Sequence, residues 1–185
     1  MLARGAGPRP SMPLEPPKEG PSAAELLIPD DVMKEASASQ LVALVQQSQE
    51  KRIQVAATFD DQFEHLVTAG RADDYAALCE RFMERFRAIA GNLDRAGSAL
   101  AAGSVHGDAL AQMVRAINAE EARRLELQLE LQVTRQRLSL SEAESEEAQG
   151  GKQRVTTLEG ALSTSTGKIY EALEELRCEA ADLED

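Results

Sequence analysis

Leu125-Glu-Leu-Gln-Leu-Glu-Leu-Gln-Val133 carries an apolar residue at every second position, which by itself is the pattern of a half-buried strand. The residue types oppose that reading. Leu, Glu and Gln are strong helix formers, β-branched residues are nearly absent, and no turn signal interrupts Asp108 to Leu138. The stretch therefore reads as a helix. At about 100° per residue, successive leucines turn to nearly opposite sides. One stripe holds Leu125, Leu129 and Val133, and the other holds Leu127, Leu131 and Leu138. A helix with two apolar stripes needs two neighbours, so the work of this chain is packing and contact.

Upstream, Tyr75, Leu78, Phe82, Phe86, Ile89, Leu93, Ala96 and Leu100 recur at threes and fours and predict a second long helix, fraying before Gly103. A first helix, with Leu41, Val45, Val55, Phe59 and Phe63 as apolar positions, has Asp30, Ser37 or Ser39 as N-cap and Gly70 as its stop. The expectation is an all-α fold, an antiparallel bundle of three to four long helices. A disordered Pro-rich leader occupies residues 1–30 and the helical domain residues 31–185. An acidic segment with Gly150 and Gly151 predicts a flexible linker near 140–155. A closing helix near 166–183 follows, through Ile169, Leu173 and Leu176.

Within this frame Met113, Ile117, Leu127, Leu131 and Leu138 are assigned to the domain's own core, against Tyr75, Phe82, Phe86 and Ile89. Leu125, Leu129 and Val133 are the candidate contact surface, meeting the closing helix or a partner that displaces it.

Composition narrows the function classes. The formal charge is −12 over 185 residues, aromatics make up 3%, and tryptophan is absent. Residues 139–185 hold twelve acidic and four basic side chains, so the tail repels phosphate backbones and direct DNA binding is expected to be weak or absent. Lys51/Arg52, Arg81/Arg85/Arg87 and Arg123/Arg124 sit beside acidic residues and read as solvated faces. No segment is apolar enough to span a bilayer and no secretory signal is evident, so the chain reads as intracellular and soluble, without membrane partners.

Catalytic chemistry has no visible home in the sequence. His65 and His106 stand apart from Cys, Asp or Glu at metal-ligand spacing, Cys79 and Cys178 form no CxxC pair, and no phosphate-binding glycine motif follows a strand. The expectation is a protein that is not an enzyme, with no catalytic, metal or cofactor-binding residues and no cofactor. Tyr75, Phe82 and Phe86 share a face with Leu78 and Ile89, which marks them as core rather than a base-stacking platform.

Three segments in order resemble the "required for excision" B-type DNA-repair domain family. They are Leu44-Val-Gln-Gln-Ser-Gln-Glu50-Lys-Arg52-Ile-Gln54 with Phe59, Phe63 and Tyr75; Glu120-Glu-Ala-Arg-Arg124-Leu125 with Thr134 and Leu138; and Lys168-Ile-Tyr-Glu-Ala-Leu-Glu-Glu-Leu-Arg177-Cys-Glu179. The resemblance spans roughly residues 39–182. It implies a role in repair of ultraviolet damage and a nuclear site of action, with the cytoplasm as second compartment, and it brings no active-site residues. The function expected is that of a non-catalytic accessory in excision repair, working through protein contacts with repair factors. The rival is a coiled-coil structural adaptor in a trafficking or cytoskeletal assembly.

Overall fold

The computed structural model describes residues 19–103, 107–141 and 145–182. The predicted leader before residue 19, His106 and Leu183 lie outside the described residues. Two short helices, α1 (Ala23–Leu26) and α2 (Asp30–Glu35), precede α3 (Ala38–Thr68), a 3₁₀ turn (Ala72–Asp74), α4 (Tyr75–Gly103), α5 (Gly107–Leu140) and α6 (Glu146–Asp182). Among the described residues there is no strand, so the fold is all-α.

Local chemistry fixes the ends. Ser37 accepts from the Gln40 amide while the Gln40 side chain accepts from the Ser37 amide, a reciprocal cap that starts α3. At the far end Gly70 has φ +67°. Its N–H donates to the Val67 carbonyl at 3.1 Å and the Arg71 N–H donates to Leu66 at 2.9 Å. This is a Schellman ending, which only a residue at ease with positive φ closes without strain. The helix α5 opens with Asp108 in its first turn, where the helix dipole favours a negative charge.

The long helices each pack mostly on the next in sequence, and α6 returns to touch α3. Short connections make neighbours antiparallel. The α4 stripe forms the floor of the core, with Leu78, Phe82, Ile89, Leu93 and Leu100 sealed from solvent. Phe59 of α3 lies 4.8 Å from the Phe82 ring and 6.3 Å, edge-on, from Phe86. Such offset geometries add to the burial energy of the rings.

On α5 Ile117 is in the main core and Met113 packs against it, as their stripe predicts. The inward line of α5 runs through Leu110, Val114, Ile117 and Glu121, and eleven residues make about three turns, so Val114 shares a face with Leu125. Leu125 and Leu129 accordingly pack against the main core, a cluster that includes Ile169 and Leu176 of the closing helix. Leu127 is half-buried, and Leu131 is buried apart from the main cluster.

The closing helix is also longer than its sequence signal. It starts at Glu146, and Gly150 and Gly151 lie inside it rather than in a linker. Each glycine costs about 1 kcal/mol relative to Ala in a helix interior, and only Gly151 has a packed neighbour at its Cβ position. A Cβ on Gly151 would stand 2.6 Å from Leu138 Cδ2, so glycine is what lets α6 approach α5 there. From Ala148 to Leu176 the inward positions recur at three and four, with Ala148, Leu158, Ser165, Ile169 and Leu176 buried.

The segment 19–30, expected to belong to the leader, holds α1, whose Leu26 is buried, and the first residue of α2. Asn92 of α4 ties it down. Its Nδ2 donates to the Leu26 carbonyl at 2.8 Å and its Oδ1 accepts from the Ile28 N–H at 3.1 Å, as a neighbouring strand would. Arg95 donates to the same Asn92 Oδ1 and pairs with Asp30.

Replacing Asn92 by Ala strands the Leu26 carbonyl and the Ile28 N–H together. The expected loss is about 1–3 kcal/mol per stranded group, read by urea denaturation, with faster proteolysis between residues 26 and 30. Unchanged cleavage there would show that apolar contacts alone hold the strap.

A buried polar layer and the α5–α6 face

Arg52 continues the buried line of α3 that runs through Val45, Ser48, Val55 and Phe59, and Glu121 continues the line of Leu110, Val114 and Ile117 on α5. The two apolar faces therefore each carry one charge, of opposite sign, into the middle of the bundle. Arg52 Nε lies 2.8 Å from Glu121 Oε2, with side-chain exposures of 3% and 4%. Arg52 Nη2 also donates to the Glu121 backbone carbonyl at 3.2 Å. Arg124, one turn on, donates to the same Glu121 Oε2 at 2.9 Å. The Phe86 ring lies 5.4 Å from the Arg52 guanidinium carbon, close enough for a cation–π contribution.

Burial pulls the Arg52 guanidinium below its ordinary pKa, and Glu121 pulls it back up. Arginine stays charged under any such shift. With both partners sealed from water, what the pair does is key α3 to α5. Breaking a pair of this kind strands a buried charge and costs about 3–5 kcal/mol, whereas replacing both partners by apolar groups is often neutral.

The layer is incompletely satisfied. Ser48 Oγ, Gln49 Nε2 and Arg52 Nη1 on α3, Glu120 Oε1 on α5 and Ser165 Oγ on α6 are buried with no hydrogen-bond partner among the described residues. Each such group costs about 1–3 kcal/mol when left unpaired. Two exposed ion pairs, Arg154 with Glu130 and Arg135 with Glu159, link α5 to α6.

A second polar group bridges α3, α4 and α5. Gln132, fully buried, donates to Asp60 Oδ1 at 2.8 Å and accepts from the Tyr75 hydroxyl at 3.0 Å, while Gln128 donates to the same Asp60 oxygen. Burial pushes the Asp60 carboxyl above its ordinary value, against the two glutamine bonds that hold it down. Burial first, and then the hydrogen bond with Cys79, pushes the Tyr75 phenol up. Tyr75 stacks edge-on against Phe63 at 5.5 Å, so it belongs to the core as its spacing predicts.

The candidate contact residues Leu125, Leu129 and Val133 are all half-buried. Leu129, Val133 and Leu138 of α5 line a cleft of about 740 Å³ with Glu147, Gly151 and Arg154 of α6. Cys79 and Cys178 are free thiols. Among the described residues no group of three or more His, Cys, Asp or Glu is placed to hold a metal ion, and no helix is long and apolar enough to cross a membrane.

Arg52 and Arg124 are not the solvated charges their neighbours imply. Arg52 is buried and Arg124 is 19% exposed. The signal was present in the sequence: Arg52 falls seven residues from both Val45 and Phe59, and Glu121 four from Ile117, all core spacings.

Residues 40–135 match the family model described as DNA repair REX1-B, the family that the quoted segments resemble. The matched span takes in nearly all of α3, all of α4 and α5 to Arg135, and stops before α6. Neither the curated proteins nor the solved structures gave a match to the chain.

Arg52→Met is expected to cost about 3–5 kcal/mol, and Arg52→Met with Glu121→Leu to recover most of it. Denaturant midpoints of the two variants decide this; equal losses would mean that the pair is worth more than its desolvation. For Asp60 the folded-state pKa is raised, so its contribution is full below the ordinary 3.8 and is lost as pH rises through the higher folded value. Asp60→Asn should therefore flatten that part of the stability profile, measured between about pH 3 and 7.

Proposed function

The chain belongs to the DNA repair REX1-B family, and on that premise we propose that it serves repair as a non-catalytic accessory in the removal of ultraviolet lesions. It acts in the nucleus by contacts with other repair proteins. The family match across α3, α4 and α5 is the observation that carries this reading.

The charges favour protein partners over DNA. Two arginines that a phosphate backbone could use, Arg52 and Arg124, are spent on Glu121 inside the bundle, and the net charge of −12 opposes the counterion release that drives sequence-independent binding. Aromatic rings stack on unpaired bases in other proteins; here the four phenylalanines are buried, and Tyr170 on α6 is the exposed ring among the described residues. The surface proposed for partners is the α5 face of Leu125, Leu129 and Val133, where it meets α6.

Cells lacking the protein should clear ultraviolet lesions more slowly, while the purified chain leaves a damaged duplex uncut. Lesion counts falling at the normal rate would remove the repair step, and incision by the pure protein would remove the accessory role. Proximity labelling before and after irradiation should recover repair factors. Steady neighbours on a membrane or filament would favour a structural adaptor instead. Binding of the intact chain to undamaged duplex should be weak at physiological salt, read by fluorescence anisotropy.

A further inference from the structure

A recess of about 290 Å³ opens between the strap, α3 and α4. Its lining divides by exposure. Leu26, Ser48 and Ile89 are sealed from solvent, whereas Leu27 and Val32 stand 51% and 43% exposed. Asn92 holds the strap at Leu26 and Ile28, so the walls are in place before anything binds. A cavity of about 150 Å³ holds benzene, and this one therefore has room for a single ring with a polar group and for little more. It also offers that group a partner, because Ser48, 3% exposed, has a buried Oγ with no hydrogen bond among the described residues. A ring of that kind stands on the chain itself. Tyr170 of α6 is 59% exposed, while the four phenylalanines are buried and Tyr75 donates to Gln132 inside the bundle. Gly167, three residues earlier and so on the same side of the helix, leaves open space where a side chain would stand. Tyr170 is absent from the lining of its own recess. Charges of both signs stand on each surface, with Lys51 and Glu25 lining the recess and Lys168 and Glu171 flanking Tyr170 in the chain.

We propose that the chain forms a two-fold homodimer in which Tyr170 of each copy enters the recess of the other and its hydroxyl pairs with Ser48 Oγ. A phenol joins an apolar ring to a hydroxyl that both donates and accepts, which matches aliphatic walls carrying one unpaired serine. Ring and recess belong to one chain, so a two-fold axis satisfies both of each at once. The contact covers Leu27, Val32 and Tyr170, three of the five large apolar residues that stand exposed among the described residues. This inference goes beyond the repair reading and does not depend on it.

The test is analytical ultracentrifugation of the full chain over a dilution series, in about 0.5 M salt to screen the repulsion between two copies of formal charge −12. The chain should sediment as a dimer at high concentration and dissociate on dilution. Tyr170→Ala, at an exposed site, should give a monomer with unchanged circular dichroism. Tyr170→Phe and Ser48→Ala should each weaken association about five- to a hundredfold, since each dimer holds the hydrogen bond twice. The double variant should be no weaker than either alone. Additive losses would overturn the pairing of Tyr170 with Ser48, and a dimer untouched by Tyr170→Ala would overturn the ring. A chain that stays monomeric while N-acetyltyrosinamide shifts the amide resonances of Leu44 and Ser48 would overturn the second copy and give the recess to a ring from another protein. A monomer blind to that probe would overturn the recess as a site.

Discussion

An arginine and a glutamate meet in the middle of the bundle, and the rest of the arrangement is organised around sealing them. Arg52 and Glu121 come from helices that touch each other little, so the pair reaches across the interior rather than along a shared seam. That position demands a cover on every side. The Phe86 ring faces the guanidinium from α4, Arg124 brings a second donor to the carboxylate, and α6 packs on both α3 and α5. Hydrophobic burial supplies the bulk of the folding energy. The pair adds geometric choice, because a helix slipped by one turn would leave an isolated charge in a low-dielectric interior.

Away from this layer the bundle has two characters. The α3–α4 side is aromatic and tightly closed, with rings of Phe59, Phe82 and Phe86 in contact. The α5–α6 side is aliphatic and small-residue rich, with exposed ion pairs along its edge and a cleft where Leu129 and Val133 look toward Gly151. Exposed ion pairs contribute little to stability. The α5–α6 pair is nevertheless the most extensive helix contact in the bundle.

Much of this was readable in the amino-acid order. The α4 stripe has a clean period, and Ser37 and Gly70 start and stop α3 by residue chemistry alone. What could not be read has a common cause, which is that tertiary neighbours outweigh local preference. Gly150 and Gly151 are breakers in isolation, yet both sit inside α6, and at Gly151 the side chain of Leu138 on α5 lies against the helix. The two leucine stripes of α5 look equivalent in sequence. Only the neighbours decide that Leu125 and Leu129 meet the main core while Leu131 is buried elsewhere. Charges misled for the reverse reason. Arg52 lies between Lys51 and Ile53, both exposed, and local composition hides the one charge that the spacing had placed inside.

The strap held by Asn92 separates two boundaries that are easily taken for one. The stretch by which the family is recognised begins at residue 40, but Leu26 and Met33 lie against α4 and complete the main core. A fragment cut at the family boundary would bare the side of α4 that carries Asn92 and Ile89. It would also lose the Ser37 cap of α3. Recognition and foldability therefore have different lengths in this chain. A piece chosen by family resemblance alone would carry a sticky apolar face, and any partner it captured there would report the missing strap rather than the native surface.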